Sequence, residues 1–143
     1  MAVAKVLIVD DETEFAAVIG ERMEARGFKV DTADSGSGGI AKIKETVYDA
    51  IILDLAMPGM DGIETLQEML KIDRTLQIIL LTGHATLQKG IEAVKLGASD
   101  FLEKPADIDA LVGKVNEAQK KRIASFQEDL EKKMSDIMKK KSW

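Results

Sequence analysis

Lys5-Val-Leu-Ile-Val-Asp-Asp-Glu12 is a short, β-branched apolar run that ends abruptly in three acids. A strand with one wet face would alternate apolar and polar residues, so an unbroken apolar run of this length suits a strand covered on both faces. Phe28–Ala33, Asp49–Leu55, Leu76–Leu81 and Asp100–Glu103 read as four further strands. Helical patterns fill the gaps. Thr13–Arg26 carries Phe15, Val18, Ile19 and Met23 at steps of three and four, and Gly27 closes it in the left-handed conformation a helix end favours. Ser35–Thr46 has a loose, Gly-rich start, and Gly36-Ser-Gly-Gly39 lacks the Lys-Ser/Thr ending of a phosphate-binding loop. Met57-Pro-Gly-Met-Asp-Gly62 is a turn before a helix at Ile63–Ile72, and Thr86–Leu96 is a helix closed by Gly97. From Asp107 the pattern is helical again. Five alternations of strand and helix with short connections predict an α/β fold. The expected architecture is a five-stranded, doubly wound parallel sheet of flavodoxin-like (βα)5 type with an extended C-terminal helix.

The 143 residues, 45% hydrophobic and 31% charged, suit one globular domain with an appendage. With no cysteine, disulfides, thiolate metal sites and cysteine nucleophiles are excluded, and a cytoplasmic setting is expected. Apolar stretches such as Ala50–Leu53 and Ile78–Leu81 are far too short to span a bilayer, and the N-terminal run meets acids with no small-residue cleavage site. Charge is uneven. Residues 119–143 carry eight Lys/Arg against four Asp/Glu, whereas the preceding 118 carry 12 against 21. An acidic body argues against direct nucleic-acid binding. No Pro or Gly interrupts the tail after Gly113, and Ile123, Phe126, Leu130, Met134 and Ile137 form an apolar stripe. That stripe calls for cover from the body, a second copy or a partner, because an isolated helix of this length is marginal in water. Residues 3–120 are therefore expected to form the domain, and 121–143 a basic amphipathic tail.

Ligands of open parallel sheets bind outside the C-terminal strand ends. The residues there are Asp10 and Asp11, Asp54, Thr82 and Lys104. Three clustered carboxylates repel one another unless a cation neutralises them, and an all-oxygen set suits a hard ion, Mg²⁺ first. With Mg²⁺ and Lys104 spreading positive charge, Asp54 is placed to act as a nucleophile towards a phosphoryl group. The Thr82 hydroxyl is a donor for a phosphoryl oxygen. The competing reading is that these acids cap the following helices, with Asp11 or Thr13 as an N-cap.

Four segments together resemble the response regulator receiver domain of two-component signalling, the CheY-like family. They are Val6-Leu-Ile-Val-Asp-Asp-Glu12, Ile52-Leu-Asp-Leu-Ala-Met-Pro-Gly-Met-Asp-Gly62, Leu80-Leu-Thr-Gly-His-Ala85 and Gly97-Ala-Ser-Asp-Phe-Leu-Glu-Lys-Pro105. The resemblance implies that Asp54 is the phosphoacceptor for a partner kinase's phosphohistidine. It implies direct Mg²⁺ ligation by Asp11, Asp54 and the backbone carbonyl of Ala56, with Asp10 acting through water. Thr82 and Lys104 would bind phosphoryl oxygens, and Pro105 would follow a cis peptide bond. Phe101 falls at the switch aromatic, without the hydroxyl of the frequent tyrosine. Ala56 and His84 occupy positions that tune the access of water.

The function expected is a phosphorelay switch: a sensor histidine kinase or phosphotransfer protein as donor, and a downstream protein contact as output. Some two dozen residues after position 120 are too few for an output domain, so a stand-alone receiver is expected. The alternative is a truncated receiver of an enhancer-binding transcription activator, with the tail as its dimerisation linker. Homodimers through the tail or the face of helix four, strand five and helix five are further partner expectations, and no membrane is among them. A phosphatase resembling the haloacid dehalogenase group needs an acid two residues past its nucleophile. Ala56 stands there, so an enzyme beyond its own phosphotransfer and dephosphorylation is not expected.

Overall fold

The computed structural model describes residues 4–56, 61–83 and 87–141. Turn residues 57–60 and His84 lie outside them. In chain order the described elements are β1 (Lys5–Val9), α1 (Thr13–Glu24), β2 (Lys29–Ala33), α2 (Gly36–Glu45), β3 (Ala50–Asp54), α3 (Gly62–Ile72), β4 (Ile78–Thr82), α4 (Leu87–Lys95), β5 (Asp100–Glu103) and α5 (Ile108–Lys141). The strands form one parallel sheet in the order β2-β1-β3-β4-β5. The order reverses between β1 and β3, which opens a crevice at their C-terminal ends.

Successive side chains of a strand point to opposite faces. Leu7, Val9, Ile51, Leu53, Ile78 and Leu80 accordingly pack with Leu66 and Met69 of α3, Ala93 of α4 and, from α2, Ile40 and Ile43. Val6, Ile8, Ala50, Ile52, Ile79 and Leu81 pack with Ala16, Ile19 and Met23 of α1 and Leu111, Val115 and Ala118 of α5. Every residue of β3 and β4 is buried, as the unbroken apolar runs require, while the edge strands β2 and β5 are partly exposed. None of the described helices is long and apolar enough to cross a membrane.

Several local expectations change. The buried face of α1 is Ala16, Ile19, Gly20 and Met23, and Val18 is 45% exposed. The N-cap of α1 is Glu12, neither Asp11 nor Thr13, and its side chain makes no capping bond. Strand β2 starts at Lys29, because the Phe28 N–H is taken by the Met23 carbonyl in the turn that closes α1. Gly27 and Gly97 take positive φ, 95° and 120°, in the turns after α1 and α4. Gly39 in α2 answers to packing and not to looseness. A Cβ there would lie 2.8 Å from Val9 Cγ2.

Helix α5 runs unbroken for 34 residues. Its buried contacts end at Ala118, and Arg122 still reaches Asp73 at 3.8 Å. Beyond that, Ile123, Phe126, Leu130, Met134 and Ile137 are 49–69% exposed, so the body does not cover the stripe.

Candidate functional site

Parallel register brings the predicted residues to one sheet edge. Val9 aligns with Leu53, Asp54 with Leu81 and Thr82 with Glu103, so Asp10, Asp54, Thr82 and Lys104 follow one another across four strands. The Lys104 N–H donates to the Thr82 carbonyl at 2.7 Å, holding the start of the loop after β5 against β4. The Lys104–Pro105 peptide bond is cis.

Asp10 and Asp54 are 1% and 3% exposed. Each is aimed by its own loop: Asp10 Oδ1 accepts from the Glu12 N–H at 2.9 Å, and Asp54 Oδ1 from the Ala56 N–H at 3.2 Å. These are Asx-type turns, the local bond an aspartate makes two residues on. The first of these bonds commits Asp10 to the loop and not to the N-terminus of α1. The second oxygen of each faces Lys104, whose Nζ lies 3.3 Å from Asp10 Oδ2 and 3.5 Å from Asp54 Oδ2. Burial works against the ammonium charge, but Asp54 and Asp10 together outweigh it and hold the Lys104 pKa above its ordinary value. For Asp10 burial dominates and, with Asp54 beside it, pushes the carboxyl up to about 6 despite the Glu12 N–H and Lys104.

Asp11 is exposed at the mouth. Asp10, Asp11 and Asp54 each present an oxygen within 4.8 Å of the others, an all-oxygen set that fits a hard divalent cation. Ala56, also exposed, follows in the loop that its N–H ties to Asp54. Thr82 is fully buried, and its hydroxyl donates to the Leu102 carbonyl at a long 3.4 Å. Its methyl faces Gly90 of α4, where a Cβ would lie 2.9 Å from Thr82 Cγ2 and 3.5 Å from the Phe101 ring. Phe101 is half-buried against the core. Thr82, Phe101 and Gly90 therefore share one small space. Phe15 was legible only as part of a helical stripe, yet its ring centroid lies 4.5 Å from Lys104 Nζ. Its one sequence signal is its position in the first turn after the acids.

The raised Asp10 pKa has a measurable consequence. The folded chain keeps this proton up to about pH 6, whereas the unfolded chain releases it near its ordinary value of 3.8. Between those values the folded state binds more protons, so this group's contribution to stability falls as pH rises and stays low above the window. The whole difference is about 2–3 kcal/mol. Urea unfolding of metal-free protein reads it: Asp10→Asn should gain on wild type from about pH 4 to about pH 7. A gap that stays constant with pH would remove burial of the Asp10 charge as its cause.

The comparisons with known proteins agree with this geometry. The family described as the response regulator receiver domain matches residues 6–116. The transcriptional regulatory protein ZraR of Klebsiella oxytoca is 33% identical over 113 residues, 79% of this chain and 26% of that protein. A response regulator receiver domain protein from Clostridium thermocellum superposes with a TM-score of 0.83 at 34% identity, covering 85% of this chain and 98% of its own. NtrX from Brucella abortus superposes with a TM-score of 0.79 at 26% identity, covering 95% of this chain and 30% of NtrX. The chain thus spans about a quarter of the length of the curated relatives it matches. With the parallel order β2-β1-β3-β4-β5 and acids at the ends of β1 and β3, it belongs to the response regulator receiver family of two-component systems.

Proposed function

We propose that Asp54 accepts a phosphoryl group from the phosphohistidine of a sensor kinase or phosphotransfer protein, and that the modified domain signals by a protein contact. The observation that carries this is the buried Asp54 carboxylate, held by the Ala56 N–H and facing Lys104 beside two further acids. An Asp54 oxygen forms the new P–O bond as the P–N bond of the donor breaks, and the electron pair leaves with the imidazole nitrogen. Asp11, Asp54 and the Ala56 carbonyl would hold Mg²⁺ directly and Asp10 through water. When bound, the ion supplies the charge neutralisation that phosphoryl transfer requires. Lys104, already between Asp10 and Asp54, meets the equatorial oxygens with a positive charge.

The long bond from Thr82 to the Leu102 carbonyl is easily exchanged for one to a phosphoryl oxygen. That movement vacates space beside Gly90, and Phe101 turns towards it. Such a loop and aromatic form the bistable element that a modification biases. Ala56 offers no carboxyl to activate water, so the chemistry ends in a modified residue and not in turnover of a substrate. Ile91 and Val94 of α4 and the adjoining Leu96 are exposed apolar residues on the side where the change emerges, which suits them to receive the output partner. Residues 3–120 act as the receiver and 121–143 as a tail, in the cytoplasmic setting that the cysteine-free sequence fits.

Treatment with acetyl phosphate, followed by intact-mass measurement, tests the assignment. Wild type should gain one phosphoryl group only when Mg²⁺ is present, and Asp54→Asn should gain none. Equal gain by the variant would place the chemistry elsewhere.

A further inference from the structure

Lys104 has to serve two states of the site, and its stem is a flexible four-carbon chain with three rotatable donors. In the resting chain its ammonium lies between Asp10, at 3.3 Å, and Asp54, at 3.5 Å. Its side chain is 19% exposed, so water supplies little of its solvation. Both acids attract the ammonium, and its flexible stem lets it move between them, whereas the oxygens that arrive at Asp54 need it held in place. The third neighbour is Phe15, with its ring centroid 4.5 Å from Nζ. An aromatic face at this distance attracts a cation through its quadrupole, and more strongly where water is excluded.

We infer that Phe15 is a positioning residue whose ring face holds the Lys104 ammonium between Asp10 and Asp54, ready for the phosphoryl oxygens. The inference rests on the phosphoacceptor reading of Asp54 and adds to it a residue of α1 with no polar atom. Phe15 also packs at the edge of the core between the sheet and α1. A packing role depends on its shape, whereas the positioning role depends on the electron density of the ring. Fluorination separates the two, because it weakens the quadrupole while nearly preserving the shape.

The test uses the full chain with mono-, di- and trifluorophenylalanine placed specifically at position 15, in saturating Mg²⁺ with acetyl phosphate as donor. The maximal rate of Asp54 phosphorylation should fall with each fluorine, reaching about three- to tenfold for the trifluoro residue. Phe15→Leu should fall at least as far and Phe15→Trp should recover the rate. A flat rate across the fluorinated series overturns the inference. Proton NMR of unphosphorylated protein supplies an independent reading, since the Lys104 ε-methylene should be shifted upfield by the ring and lose that shift in Phe15→Leu. An unshifted methylene in wild type also overturns it. Wild type that shows the shift but takes up no phosphate overturns the Asp54 assignment instead, so the two ideas fail separately.

Discussion

Lys104→Met is expected to destabilise the metal-free protein by about 3 kcal/mol, because it strips the cation from two buried carboxylates. The loss is no larger than this for a physical reason. Asp10 already binds its proton up to about pH 6, and without Lys104 it would rise further and neutralise itself instead of staying charged. Adding Mg²⁺ is expected to return most of the stability, since Asp10, Asp11 and Asp54 present their oxygens within 4.8 Å. It should not return the chemistry. Lys104 is the one side-chain cation within 4 Å of Asp54 among the described residues, and losing a preorganised charge of this kind slows transfer about a hundredfold. Urea unfolding with and without Mg²⁺, paired with phosphorylation rates, checks both halves. A variant whose rate recovers along with its stability would reduce Lys104 to a structural counter-ion.

Gly62→Ala is expected to destabilise the protein by about 3 kcal/mol, although helix propensity alone would favour Ala over Gly by about 0.5–1 kcal/mol. The two terms differ in sign, and geometry decides between them. Gly62 opens α3, and its N–H donates to the Leu55 carbonyl at 3.3 Å, tying the start of α3 to the end of β3. A Cβ there would lie 2.5 Å from Leu55 Cα and 2.9 Å from the Asp54 carbonyl oxygen. Those are backbone atoms, which no side-chain rotation can clear. Strain would therefore be transmitted to Asp54 and Ala56, and Mg²⁺ affinity should weaken with stability. A denaturation midpoint at or above that of wild type would show that the close approach has no energetic weight.

These two residues mark the line between what the sequence made legible and what it did not. Lys104 could be read because parallel strands deliver their C-terminal residues to one edge, so a polar residue just past the end of a strand is already placed. The central strands themselves could be read because burial on both faces leaves them apolar up to their last residue, as β3 and β4 are before Asp54 and Thr82. Gly62 was legible only as a member of a turn, since a close approach between backbones leaves no pattern in one strand or helix. Gly39 and Gly90 are of the same kind, and each is fixed by neighbours from other elements. Val18 and Phe15 show the limit of periodicity. Steps of three and four locate a stripe to within one residue's rotation, about 100°. That uncertainty separates an exposed valine from a ring lying against the Lys104 ammonium. Strand order likewise depends on which loops cross the sheet, and alternation alone does not specify it.

The unbroken α5 has a geometric consequence of its own. At about 1.5 Å per residue, the 23 residues from Gln119 to Lys141 carry the helix roughly 35 Å past its last buried side chain. Over that span, distance and bearing are locked together: each residue added or removed changes the reach by about 1.5 Å and turns the far end by about 100°. A partner seated near Lys141 would meet the receiver at a fixed torsional phase. Small insertions would upset it by rotation long before length mattered, and insertions of whole turns would leave it nearly in register.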